Sequence, residues 1–204
     1  MSRAMVIPTA QVKQLRELTG AGILDCRTAL EETGGDVDKA VQYLREKGLA
    51  AAEKRLGRET REGFIDLYSH GNGRVGVMVE VNCETDFVAR AEEFRRFVHE
   101  VALQVAAACP LYLDVSQIPS EVVEVQRTEA RNQARREGKP EKVWDRIVEG
   151  RLDKFYREVC LLRQPYIRDD QMTVADVLRQ MIASTGENVV IRRFQRWEVG
   201  QEAG

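Results

Sequence analysis

Four valines in strict alternation, Val75, Val77, Val79 and Val81, constrain this chain more than any other feature. A period of two puts all four on one face of an extended strand. The run Phe64-Ile65-Asp66-Leu67-Tyr68 precedes them, and Ser69-His70-Gly71-Asn72-Gly73-Arg74 between the two runs is strong turn chemistry. The pattern predicts a β-hairpin. A helical pattern follows, with Phe94, Phe97, Val98, Val101 and Val105 on one side and Pro110 at its end. Further helices are expected from Pro119-Ser120-Glu121 to Arg136 and from Pro140 to Leu162, separated by the turn Gly138-Lys139-Pro140. Thr173-Val174-Ala175-Asp176 reads as the capping box of a short helix bearing Val177, Leu178 and Met181, which Gly186 stops. Asn188 to Val199 is a candidate third strand.

Ahead of the hairpin the periodicity changes to that of three short helices. Thr9 is read as the N-cap of the first, with Val12, Leu15 and Leu18 on one face. Thr19-Gly20-Ala21-Gly22 breaks it. The second carries Cys26, Ala29 and Leu30 inward and ends at Thr33-Gly34-Gly35. Asp36 caps the third, which turns Val37, Ala40, Val41 and Leu44 inward and has Gly48 as its C′ residue. The alanine-rich and then charged stretch from Leu49 to Thr60 reads as a linker with some helical character. The predicted organisation is a three-helix head at 1–49, a linker at 50–60 and an α+β core at 61–204 with a three-stranded antiparallel sheet and flanking helices. Three strands leave two edges, which must be covered, charged or paired, and the Arg-rich last strand blunts one of them.

With 204 residues the chain can bury a real core. A formal net charge of −2 gives no bulk electrostatic case for nucleic-acid binding. The longest apolar run falls far short of a membrane span. Cys26, Cys83, Cys109 and Cys160 are scattered, which fits reduced cytosolic thiols and a cytoplasmic protein rather than a disulfide framework or a zinc site. His70 and His99 lack ligand-like neighbours, so no metal is expected. The sequence holds no phosphate loop, nucleophile elbow or metalloprotease motif, and no enzyme and no cofactor are expected. The basic residues from 127 to 142 alternate with acids and read as a solvated helix surface.

Two places resist a purely structural reading. Glu84-Thr85-Asp86-Phe87-Val88-Ala89-Arg90 sits on the connection between the hairpin and the next helix. An apolar ring there is either an anchor for a partner or folds back onto its own core, and local pattern does not choose. In the head, Leu24 points about 160° away from Cys26 on the helical wheel, with Ile23 near the edge of the inner stripe. Single exposed leucines are common, so this pattern alone favours the bland interpretation.

Taken together, several segments resemble bacterial translation elongation factor Ts in a short form. They are Leu15-Arg16-Glu17-Leu18-Thr19-Gly20-Ala21-Gly22-Ile23-Leu24-Asp25-Cys26 in the head, Glu80 to Arg90 in the body, and then Glu149-Gly150-Arg151-Leu152, Leu161-Leu162-Arg163-Gln164-Pro165 and Arg192-Arg193-Phe194. The resemblance implies a guanine nucleotide exchange factor for the GTPase elongation factor Tu. It implies that Thr85, Asp86, Phe87 and Val88 contact the GTPase near its magnesium site, and that Arg16, Ile23 and Leu24 of the head touch it as well. Asp86 is expected to fix the segment by an Asx-turn or a cap. Ala91 stands where the family often has Asn, which removes a cap for the following helix. The short chain is read as lacking the second core subdomain and coiled-coil insertion of longer members, and a homodimer would rebuild the missing half. No direct nucleic-acid or membrane partner is implied. The head is also similar to ubiquitin-associated modules, so a non-catalytic adaptor is the competing interpretation; an RNA-binding accessory protein using Arg131 to Arg136 is a third.

Overall fold

A computed structural model of the chain describes residues 7–201. Two compact units emerge. One takes the chain up to Thr60 together with Arg179–Val189, the other Arg61–Leu178 together with the chain from Val190 on.

The first unit contains α1 (Thr9–Thr19), α2 (Ile23–Glu32) and α3 (Val37–Glu53). Val12, Leu15, Cys26, Ala29, Leu30, Ala40 and Leu44 form its core, as the helical periodicity predicts. Asp36 caps α3 by accepting from the Lys39 amide at 3.1 Å. Three expectations are corrected. Pro8, in extended conformation, precedes α1 and Thr9 is its first helical residue. Leu18 does not join the inner face but is 64% exposed. Gly48 does not end α3, which runs on to Glu53 and takes in the start of the expected linker. Gly48 is instead a place of close approach: a Cβ there would lie 3.2 Å from that of Ala183.

The second unit is built on β1 (Glu62–His70), β2 (Val75–Cys83) and β5 (Val190–Glu198), in the order β1-β2-β5 and antiparallel throughout. Val75, Val77, Val79 and Val81 are all buried. Helix α5 (Glu92–Ala108) packs across β1 and β2 and buries Phe94, Phe97, Val98, Val101 and Val105. Between Glu80 and Val81 the pairing with β5 shifts register. Arg192 is the extra residue of this bulge, so Ile191 and Phe194, three apart, both lie opposite buried valines, Val81 and Val79. Beyond it, Arg193, Gln195 and Trp197 lie on the other face. There the Arg193 Nε lies 2.6 Å from Glu80 and holds that carboxyl below its usual range.

Helices α6 (Ser120–Arg136) and α7 (Trp144–Val159) form a hairpin with a small core of Ala130, Val148 and Leu152. Helix α7 is shorter than the expected Pro140 to Leu162: a 3₁₀ turn at Glu141–Val143 precedes it, and Cys160, in extended backbone and bridged to Tyr112, ends it ahead of a second 3₁₀ turn at Leu161–Arg163. The helix pair is laced by Arg127–Glu149 at 3.1 Å and Arg131–Asp145 at 3.2 Å. A small hairpin, β3 (Pro165–Tyr166) and β4 (Asp169–Thr173), was not foreseen. It precedes α8 (Val174–Thr185), whose predicted capping box is present: the Thr173 amide donates to Asp176 at 2.9 Å and the Asp176 amide to Thr173 Oγ1 at 3.2 Å.

Two buried glutamines tie the small hairpin to α5. Gln104 Nε2 donates to Gln164 Oε1 and to the Pro165 carbonyl, both at 3.2 Å, and Gln104 Oε1 accepts from the Ile167 amide at 2.9 Å. Gln164 Nε2 donates to the Ala108 and Glu158 carbonyls at 3.1 and 2.9 Å. Beside them Arg168 and Tyr166 hydrogen-bond Glu100 at 3.0 and 3.1 Å. Arg168 lowers the Glu100 carboxyl from its usual range, while burial and that carboxylate push the Tyr166 hydroxyl up to about 12. Replacing one buried amide leaves several partners unsatisfied. Gln104→Leu is therefore expected to cost about 2–3 kcal/mol in urea unfolding.

Candidate functional site

The segment around Phe87 leaves the sheet at the C-terminal end of β2. Cys83 is fully buried there, and its Sγ donates to the Thr85 carbonyl at 3.2 Å. The chain then makes one short helix, α4 (Asp86–Arg90), where an open connection was expected. Thr85 is its N-cap: extended in backbone, it accepts from the Val88 amide on Oγ1 at 3.4 Å. The cap role expected of Asp86 belongs to this threonine. Asp86 stands in the first turn, where a carboxylate suits the helix dipole, and pairs with Arg90 at 3.0 Å across one turn. Both partners are solvent-exposed, so the pair adds little stability.

The two faces of α4 differ sharply. Val88 and Ala89 are each 7% exposed, whereas Phe87 is 82% exposed. The buried pair fixes the helix to its own unit, and the geometry then turns the ring at the preceding position, Phe87, outward. Of the two interpretations left open for Phe87, folding back onto the core is ruled out. Ala91 gives no side-chain cap to α5, as its identity predicts.

In the head, Gly20 ends α1 in the left-handed region at φ 67°, and its amide donates to the Arg16 carbonyl at 2.8 Å. Thr19 Oγ1 donates to the Leu15 carbonyl at 2.7 Å and accepts from the Ala21 amide at 3.3 Å. This turn presents Ile23 and Leu24 on the first turn of α2, and Leu24 is 79% exposed. Arg16 is exposed on the last turn of α1. Leu18, which the periodicity assigned inward, exposes a third large apolar side chain beside the same turn. The head residues and the Phe87 segment belong to different units.

Nothing in either region is arranged for covalent chemistry. Among the described residues no three His, Cys, Asp or Glu side chains are grouped so as to hold a metal ion. His70 and His99 flank Tyr68: His70 Nδ1 lies 2.9 Å from its hydroxyl, while His99 meets its ring edge-on and pairs with Asp66 at 2.8 Å. Cys26, Cys83 and Cys160 are buried free thiols and Cys109 is an exposed one. No helix of the described residues is long and apolar enough to cross a membrane.

Residues 10–201 match the family model described as Elongation factor TS. Elongation factor Ts of Caldanaerobacter subterraneus subsp. tengcongensis is 58% identical over 196 residues, covering 96% of this chain and 98% of that protein. Elongation factor Ts of Coprothermobacter proteolyticus is 53% identical over 197 residues, covering 97% of this chain and all of that protein. That of Thermoanaerobacter sp. strain X514 is 56% identical over 196 residues, 96% of each chain.

The contrast between the two faces of α4 has a direct thermodynamic consequence. Phe87→Ala is expected to change the unfolding free energy by less than about 0.5 kcal/mol, whereas Val88→Ala is expected to cost about 1–2 kcal/mol. Urea titrations followed by circular dichroism measure both.

Proposed function

The chain belongs to the elongation factor Ts family, and we propose on that premise that it is a guanine nucleotide exchange factor for elongation factor Tu, acting in the cytoplasm during translation elongation. The observation that carries this reading is the 82% exposure of Phe87 on a helix whose opposite face is buried. A ring held out in this way can enter a partner without first being extracted from its own core, which lowers the cost of binding. Phe87 wedges between two helices of the GTPase near its Mg²⁺, with Thr85, Asp86 and Val88 setting the wedge. Displacement of the groups that hold the Mg²⁺ loosens GDP. Arg16, Ile23 and Leu24 of the head, joined by Leu18, provide a second hold on the same GTPase.

The energetics are those of linkage. A factor that prefers the nucleotide-free GTPase to the GDP-bound one must weaken GDP binding by the same factor. No bond is made or broken in the exchange factor, so it needs neither a nucleophile nor a cofactor. GTP fills the vacated site because it is abundant. In stopped-flow release of fluorescent GDP from elongation factor Tu, the chain is expected to accelerate release strongly and Phe87→Ala to lose at least about 2 kcal/mol of that effect, the size of an interface hot spot. No acceleration by the unmodified chain would remove the exchange reading.

The second element of the proposal is a homodimer. The sheet face opposite the valines carries the Glu80–Arg193 pair and Gln195, but beside them it also presents large apolar side chains where a solvated antiparallel sheet is usually polar. Ile65, Leu67, Met78, Trp197 and Val199 are all exposed. Leu67 pairs with Met78, and Trp197 pairs with Gly76, which leaves a shallow groove between them. A second copy related by a two-fold axis covers such a face with the same face. Sedimentation equilibrium is expected to give a dimer at micromolar concentration and Leu67→Glu a monomer; a monomeric unmodified chain would contradict the proposal.

A further inference from the structure

The wedge helix has a weak C-terminal end. Helix α4 is five residues long and stops at Ala91, which turns to extended backbone at φ −63°, ψ 136°. Its carbonyls there need donors, and Ala91 has no side-chain group to supply one. One side chain reaches back from the first turn of α5. Arg95 Nε donates to the Ala89 carbonyl at 3.4 Å, and the same guanidinium lies 5.0 Å from the centre of the Phe64 ring. Phe64 lies on β1, opposite Val81 of β2. Arg95 thus joins three elements: the end of the wedge helix, the helix that follows it and the first strand of the sheet. A guanidinium suits this position because it is planar and can stack on the ring while an N–H in its plane points at a carbonyl. A cation at this end of a helix is also favoured by the carbonyl dipoles.

We propose that Arg95 is a positioning residue for nucleotide exchange, which clamps the C-terminal end of α4 against Phe64 and so holds Phe87 in its outward pose before the GTPase arrives. The proposal rests on the exchange reading above. Arg95 need not touch the GTPase. It raises the fraction of the free factor already in the binding-competent pose, and apparent affinity scales with that fraction. The saturated rate of GDP release is set by the wedge once seated, so it is left unchanged.

The test measures GDP release from elongation factor Tu over a range of factor concentrations, for the full chain and its variants. Arg95→Ala is expected to raise the half-saturating concentration about two- to fivefold, the size of an exposed cation–π contact, and to leave the saturated rate within error. Arg95→Lys keeps the charge but loses the planar stack, and is expected to behave like Arg95→Ala. Phe64→Leu is expected to give the same increase alone and no further increase when combined with Arg95→Ala. An unchanged half-saturation in Arg95→Ala, full activity in Arg95→Lys, or independent effects of the two substitutions would each overturn the clamp. Backbone order parameters of residues 86–90, measured by nuclear magnetic resonance on the free chain, are expected to fall in Arg95→Ala while those of α5 stay constant. This readout separates the two proposals. An unmodified chain that fails to release GDP, with order lost in Arg95→Ala, defeats the exchange reading and leaves the clamp. Unchanged order defeats the clamp whatever the activity.

Discussion

Strand β2 is hydrogen-bonded along both edges, and its four alternating valines lie buried on one face. The second unit is organised around that arrangement. Because both backbone edges are occupied, β1 and β5 are fixed in register, and because the valine face is apolar, α5 must lie across it with its own stripe of Phe94, Phe97, Val98, Val101 and Val105. The C-terminal end of β2 is also the point from which the segment bearing Phe87 departs, at the buried Cys83. The rigid central strand and the projecting ring are only a few residues apart, which is how an exposed side chain can be held in a defined pose.

The proposed wedge would bind a partner without covalent chemistry. Val88 and Ala89 supply the buried side of a short helix, Thr85 supplies its cap, and Phe87 is left to the solvent. Exposure of a large aromatic ring is unfavourable in isolation, but here it costs the fold little, because the ring was never part of its packing. The same separation operates in the head, where the core residues hold the three helices and Leu18, Ile23 and Leu24 remain on the outside.

Most of the architecture could be read from periodicity. The valine alternation, the Gly71-Asn72-Gly73 turn, the α5 stripe, the Asp36 cap and the Thr173–Asp176 box all appear where the pattern put them. Each depends on neighbours close in sequence, so each is visible in a short window. The misreadings share the opposite property. Leu18 fits the inward period of α1, but it stands at the end of the helix, beyond the reach of the core formed with α2 and α3. Gly48 resembles a terminator, but it is helical and marks a close approach to Ala183, far away in sequence. Pro165 to Thr173 shows no alternation, and its small hairpin is held by the side chains of Gln104 and Gln164 rather than by its own pattern.

The sequence by itself determined that a hairpin, an amphipathic covering helix and a three-helix head would form; contact roles for Phe87 and the Ile23-Leu24 pair were implied only by the resemblance to a family, since local pattern left them open. The elements follow from local periodicity and residue type, which the chain carries at every position. The tertiary structure decided which way those residues face. Alternation alone would put Trp197 on the same side as Ile191; the bulge at Arg192 reverses that parity, buries Ile191, and sends Trp197 to the outer face. Likewise the choice between an inward and an outward Phe87 was made by the burial of Val88 and Ala89. A one-residue shift exchanges the faces of a strand, and only pairing with a partner distant in sequence fixes that shift.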